Sequence, residues 1–348
     1  MAITLIGAVT IFQDNRLDSL DITPNDDDGL GYTALSVDQD SLTTNENEGP
    51  EPKPSPRSRC QIVYILGVEG TMHHGILPVV ESLAARQIDP VSSTSFIVHS
   101  RSKALRYGLF ASTGQRFGFH EPPPMDDPRL VKKVITAICP NDGRKHVVIE
   151  AASFPCRGKF RVSRGAASRA WSKMSPEEIA ESELALDHPT NLFKFYDAYH
   201  PFADIKFIVL DRPFLETIAS HRTWDDGPIG HSNIIRGFLI LLSRFLNAHR
   251  MDHSSGEKVW TVVFVEKLSV KYRGLWYKRK DRRVAFEARK DMIRNVATFL
   301  GWPQLECKYC FNSWVESKTD HTKDFEPELL QKLTEHMESL QGIWPPDE

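Results

Sequence analysis

Long apolar runs, cysteine and a surplus of charge of either sign are all scarce in this chain, and each scarcity excludes something. The strongest internal apolar run, Gly237 to Leu242, is closed off by Arg236 and Arg244, and it reads as a buried helix. The apolar start, Ala2 to Phe12, falls short of the ~20 residues that span a bilayer and lacks the basic flank of a signal peptide. No transmembrane span is therefore expected. The 348 residues carry Lys+Arg 43 against Asp+Glu 46, a formal charge of -3, which argues against general binding to nucleic acid or an anionic membrane. An anionic ligand would have to be held locally.

Five cysteines, Cys60, Cys139, Cys156, Cys307 and Cys310, are too few and odd in number for a disulfide-framed secreted domain. They are expected to be packing thiols, with a local Cys307–Cys310 disulfide as the alternative. No second C-x-x-C or paired histidine completes a zinc site with that pair, so no metal is expected. There is no N-x-S/T acceptor, and nothing here supports a glycosylated luminal protein. A reducing compartment such as the cytoplasm is favoured by the cysteines alone.

What is present falls into two regions. Residues 1–58 contain an acidic, polar stretch from Asp14 with Asp26-Asp27-Asp28 and a proline-rich segment from Pro50 to Pro56; such a composition buries too little apolar area to offset ordering, and disorder is expected. At Cys60 the chain turns to Gln61-Ile62-Val63-Tyr64-Ile65-Leu66, a β-branched run ending in glycine that reads as a buried strand. From there strands and helices alternate. Strands are expected at Ser95–His99, His146–Ile149, Asp204–Leu210 and Val259–Val265, with helices between them, the pattern of an α/β fold with a mostly parallel sheet. Ser175-Pro176-Glu177-Glu178 has the order of an N-cap, an N1 proline and an N3 glutamate, and predicts a helix start.

The loop Gly67-Val68-Glu69-Gly70-Thr71-Met72-His73-His74-Gly75 follows the first strand and precedes a helix. That is where free backbone N–H groups and the helix dipole converge on an anion. It lacks the Gly-Lys-Ser/Thr ending that neutralises a triphosphate and binds magnesium, which excludes an ordinary ATPase or GTPase. By itself such a loop is equally a plain strand-to-helix turn. A second element adds to it: the strand from Ile205 ends in Asp211-Arg212-Pro213, and Ser220 stands eight residues after Arg212, about two helical turns on.

At this point the chain resembles the sulfotransferase superfamily, whose members use 3'-phosphoadenosine 5'-phosphosulfate as donor and whose 3'-phosphate motif is a strand ending in arginine with a serine eight residues later. Trp260-Thr261-Val262-Val263-Phe264-Val265-Glu266-Lys267-Leu268 and Phe299-Leu300-Gly301-Trp302-Pro303 are similar to later segments of that family in order and spacing. The resemblance covers most of the chain from Cys60 onward. It implies a three-layer P-loop-like domain over 59–348, a central sheet flanked by helices, and an acceptor-side insertion over 140–203. It implies that Arg212 and Ser220 hold the 3'-phosphate. Gly67, Glu69, Gly70, Thr71, Met72, His73 and His74 would form the 5'-phosphate loop, with N–H groups of Gly70, Thr71 and Met72 and the Thr71 hydroxyl as donors. It also implies a hydroxyl or amine acceptor (carbohydrate, peptide or small molecule), 3',5'-ADP as product and no metal, with the Golgi lumen as a further compartment.

The match departs from the family at one place that matters. Where relatives carry a lysine or arginine before the Gly-Thr core, this chain has Val68, and beside it the acidic Glu69. A cation there stabilises charge on the bridging oxygen as the sulfonate leaves, so its loss bears on catalysis more than on fold. His73 and His74 are the replacements at hand, His73 to stack on the base and His74 to donate to the phosphate. For the base that takes the acceptor proton, the candidates are Glu150, His99 and His74. The basic stretches Arg157–Arg169 and Arg273–Arg283 read as a lid and an acceptor surface, or as solvated loops. Two alternatives stay open: a nucleotide-binding module of this fold without transfer activity, and a P-loop kinase.

Overall fold

The computed structural model describes residues 60–68, 70–71, 73–100, 105, 124–154, 173–181, 191–220, 227–252, 255–269, 279–312, 314, 322 and 325–345. The chain divides into two units, Met1–Glu51 and Pro52–Glu348. The first unit, and with it the expected disorder of residues 1–58, lies outside the described residues.

Five strands form one sheet: β1 (Cys60–Val68), β2 (Ile97–Ser100), β3 (His146–Phe154), β4 (Asp204–Asp211) and β5 (Trp260–Phe264), in the order β2-β3-β1-β4-β5. Every pair is parallel, with Ile62 set between Val148 of β3 and Ile205 of β4. Parallel pairing requires crossovers that cover both faces, so the central strand is expected to be mostly apolar and buried on both sides. All nine residues of β1 are buried. The helices are α1 (His73–Ala84), α2 (Pro128–Ile138), α3 (Pro176–Glu181), α4 (Leu192–Tyr199), α5 (Phe214–Ala219), α6 (Gly227–Ala248), α7 (Arg279–Phe299) and α8 (Pro327–Glu338).

Because strand side chains alternate, the sheet feeds two cores. Ile62, Tyr64, Leu66, Val148, Phe207 and Val209 pack under α2, α4, α6 and α8. On the other face Val63, Ile65, Val147, Ile149, Ile208 and Leu210 pack under α1, α7 and Trp302. The result is the expected three-layer α/β fold. Among the described residues no helix is long and apolar enough to cross a membrane.

Local chemistry sets the element ends. Ser175 and Glu178 form a reciprocal capping box, the Glu178 N–H donating to Ser175 Oγ at 3.1 Å and the Ser175 N–H to Glu178 Oε2 at 2.7 Å. At Gly237 a Cβ would lie 2.5 Å from Ile179. Only glycine lets α3 sit that close to α6. Gln61, 1% exposed, satisfies its buried amide fully: Nε2 donates to Asp204 and to the Leu300 carbonyl, and Oε1 accepts from Trp302 Nε1. One side chain thus ties β1, β4 and the end of α7 together.

One expectation changes. The cysteines are not all packing thiols: Cys60 is disulfide-bonded to Cys139 and Cys307 to Cys310, with Cα separations of 5.6 and 5.5 Å. The β1 and α2 ends bring the first pair together across 79 residues, a closure worth about 4 kcal/mol on the chain-entropy model. Disulfides persist in oxidising compartments, which removes the argument for a reducing one. The segment 140–203 supplies β3 and the core helix α4; residues 155–172 and 182–190 within it lie outside the described residues.

Candidate functional site

In parallel sheets ligands bind beyond the carboxyl ends of the strands, where adjacent strands send their connections to opposite faces. Here those strands are β1, which runs into α1 on one face, and β4, which runs into α5 and α6 on the other. The two sequence-derived motifs, the loop at Gly67 and the arginine at Arg212, lie at the ends of these two neighbours.

The loop after β1 is closed on itself. The Thr71 N–H donates to the Val68 carbonyl at 3.0 Å and the Thr71 hydroxyl to the same oxygen at 2.7 Å. Gly70, at φ 96°, fills the left-handed corner that this turn requires. A Cβ on Gly67 would lie 2.1 Å from Thr71 Oγ1, so glycine is needed where the threonine folds back over the strand end. Both donors of Thr71 thus bond within the loop. The Gly70 N–H has no partner among the described residues.

Arg212 links the two motifs. Its Nη1 donates to the Gly70 carbonyl at 2.7 Å, and its Nε lies 3.4 Å from Glu216 Oε2. The side chain is 9% exposed. A guanidinium has five N–H donors, and these two bonds leave further donors without a partner among the described residues.

Ser220 caps the C-terminus of α5 and is exposed. Its hydroxyl donates to the Thr217 carbonyl at 2.8 Å, while Thr217 Oγ1 donates to the Pro213 carbonyl at 3.2 Å. Arg212 and Ser220 are therefore joined through the buried Thr217 and not to each other; sequence spacing alone did not single out Thr217.

The other candidates separate. Val68 is the buried last residue of β1, so no cation arises at that place. Glu69 and Met72 lie outside the described residues, as do the side chains of His73 and His74 at the start of α1. Both basic stretches fall largely outside as well.

Glu150 is not at a strand end, because β3 continues to Phe154 and Glu150 pairs with Tyr64. It is 9% exposed and accepts the Leu105 N–H at 3.0 Å. In register it stands three residues short of the Gly67–Ser153 pair, ~10 Å along the sheet. Burial first, and the Glu150 charge second, push the Tyr199 phenol far above its ordinary range. The Tyr199 hydroxyl itself is buried without a partner among the described residues.

His99 is farther away. It pairs with Val148, and Val148 with Ile62, five residues before Gly67 and ~16 Å along the strands. The His99 ring stacks on His146 at 5.3 Å, with Nε2 3.0 Å from His146 Nδ1, and His146 Nε2 lies 3.0 Å from Asp142 Oδ1. Burial, then the neighbouring His146, hold His99 below its usual pKa. The structure does not bring His99 to the loop. Among the described residues no group of histidine, cysteine and carboxylate side chains is arranged to hold a metal ion.

No family model matches the chain, and no curated protein matches it. The site itself carries what can be read of function. It offers a glycine-shaped loop, a mostly buried arginine with donors to spare, and a parallel-sheet switch point, a combination suited to a phosphorylated ligand.

Proposed function

We propose that this protein binds 3'-phosphoadenosine 5'-phosphosulfate across the β1–β4 crevice and transfers its sulfonate to a hydroxyl or amine acceptor. In that reaction the acceptor heteroatom forms a bond to sulfur, the bond from sulfur to the bridging oxygen breaks, a base takes the acceptor proton and 3',5'-ADP leaves. Arg212 is the 3'-phosphate ligand in this reading, with Ser220 beside it at the end of α5. The Gly70 N–H and the start of α1 face the 5' side.

The observation that carries the reading is the Arg212 to Gly70 hydrogen bond, 2.7 Å long. It brings the arginine of one motif onto the phosphate loop of the other, as a single bisphosphorylated ligand requires. The test is calorimetry with 3',5'-ADP in the absence of magnesium. Micromolar affinity that is lost in Arg212→Ala supports the reading, whereas tighter, magnesium-dependent binding of ATP overturns it.

A second reading has its own observation. Val68 is buried in β1 where sulfonate transfer calls for a cation, and Glu150 is committed to the Leu105 amide. A nucleotide-binding module without transfer activity fits both. Turnover of labelled donor over a broad acceptor panel separates the two readings; binding without turnover selects the module.

A further inference from the structure

The residue before Arg212 is tied to the far end of the chain. Asp211 closes β4, and its Oδ1 accepts the Trp344 indole N–H at 2.8 Å across 133 residues. Arg212 follows Asp211 directly in the chain, so whatever anchors the Asp211 side chain anchors the strand end that carries Arg212. Trp344 is held there by tertiary packing: its own N–H donates to the Leu340 carbonyl at 3.0 Å, and Leu340 and Leu333 are buried in the core shared with α5 and α6.

Asp211 is therefore a partly desolvated carboxylate anchored to the C-terminal segment. Burial raises it above the ordinary carboxylate range, while the Trp344 indole, the Arg212 N–H and the nearby Lys267 charge from the turn after β5 pull it back. Removing the indole leaves the carboxylate with one donor fewer, and the next residue is the one whose guanidinium meets the loop.

We propose that Trp344 is a positioning residue for the crevice: by holding the Asp211 carboxylate it fixes the backbone of Arg212, so the C-terminal segment governs nucleotide affinity without touching the nucleotide. The ligand named here rests on the function proposed above; the link from Trp344 to Arg212 does not.

The test uses the full chain and Trp344→Phe, which keeps an aromatic ring and removes the N–H. The expected result is 3',5'-ADP affinity weakened about tenfold and faster hydrogen exchange at the Arg212 amide. The acid limb of the affinity profile should also move to higher pH than in the unsubstituted protein. The ligand's own titration is common to both proteins and cancels, and a loss of packing alone moves no such limb. Unchanged exchange at Arg212 with unchanged affinity overturns the proposal. If Trp344→Phe does not fold, Asp211→Ala carries the affinity and exchange measurements, because it removes the acceptor that holds the indole. If the unsubstituted protein binds no 3',5'-ADP, the proposed function fails and the exchange measurement alone decides the role of Trp344.

Discussion

Arg212 and Gly70 lie 142 residues apart in sequence and are joined by a 2.7 Å hydrogen bond from the guanidinium to the loop carbonyl. That bond gives Arg212 two tasks, to shape the loop after β1 and to present its remaining donors to a ligand. Arg212→Lys keeps the charge but not the planar fork. A charge-assisted hydrogen bond contributes about 1.5–3 kcal/mol, so Arg212→Lys should weaken 3',5'-ADP binding by about tenfold to a hundredfold in calorimetry. An affinity equal to the unsubstituted protein's would show that a point charge suffices.

Gly67 and Thr71 make a second, coupled pair. A methyl group at Gly67 collides with Thr71 Oγ1 at 2.1 Å, and forcing a side chain into a packed site costs about 1–3 kcal/mol. Gly67→Ala should therefore destabilise the fold in urea titration, and adding Thr71→Ala should return part of the loss. A strictly additive double mutant would rule out the contact as the cause.

At Glu150, glutamine and alanine give different outcomes. As an acceptor for the Leu105 amide, Glu150 should tolerate Gln, which keeps a carbonyl oxygen. Alanine leaves a buried N–H unsatisfied, at a cost of about 1–3 kcal/mol. Thermal melts of the two variants separate these cases. A general base would behave otherwise: Glu150→Gln would stay stable and lose turnover.

The stacked His99–His146 pair gives a pH dependence with a definite sign. His99 has a folded pKa below its ordinary 6.5, so above 6.5 both states are neutral there and its contribution is fully present. As pH falls from 6.5 towards the lower folded value, the unfolded chain takes up the proton first and stability is lost. Urea midpoints at pH 7.5 and pH 5.5 should differ in that direction, and His99→Gln should reduce the difference. His336, lowered by burial and by Arg236, contributes with the same sign, so the slope shrinks without vanishing.

The parallel sheet was legible because it follows from local pattern, whereas the three layers were an expectation of the family resemblance. Gln61 to Leu66 and Ile205 to Leu210 are β-branched, apolar and bounded by turn residues, and such runs have few places to go except a sheet covered on both faces. The capping box at Ser175 and Glu178 was legible for the same reason, since its partners are three residues apart. The strand holding Glu150 was read too short. Ala151-Ala152-Ser153 has no strong preference of its own, and only pairing with Ile65, Leu66 and Gly67 extends β3 through it.

By itself, then, the sequence determined where most strands and helices fall, where the loop with its glycines lies, and that Arg212 directly follows a strand, because these depend on neighbours within a few residues. Tertiary structure alone decided that Arg212 meets Gly70, that Cys60 pairs with Cys139, that Glu150 caps Leu105 and that Trp344 reaches Asp211. Those contacts join residues 45 to 142 positions apart. No local periodicity encodes them, since they form only when the sheet order sets β1 beside β4 and the C-terminal helix packs back against α5.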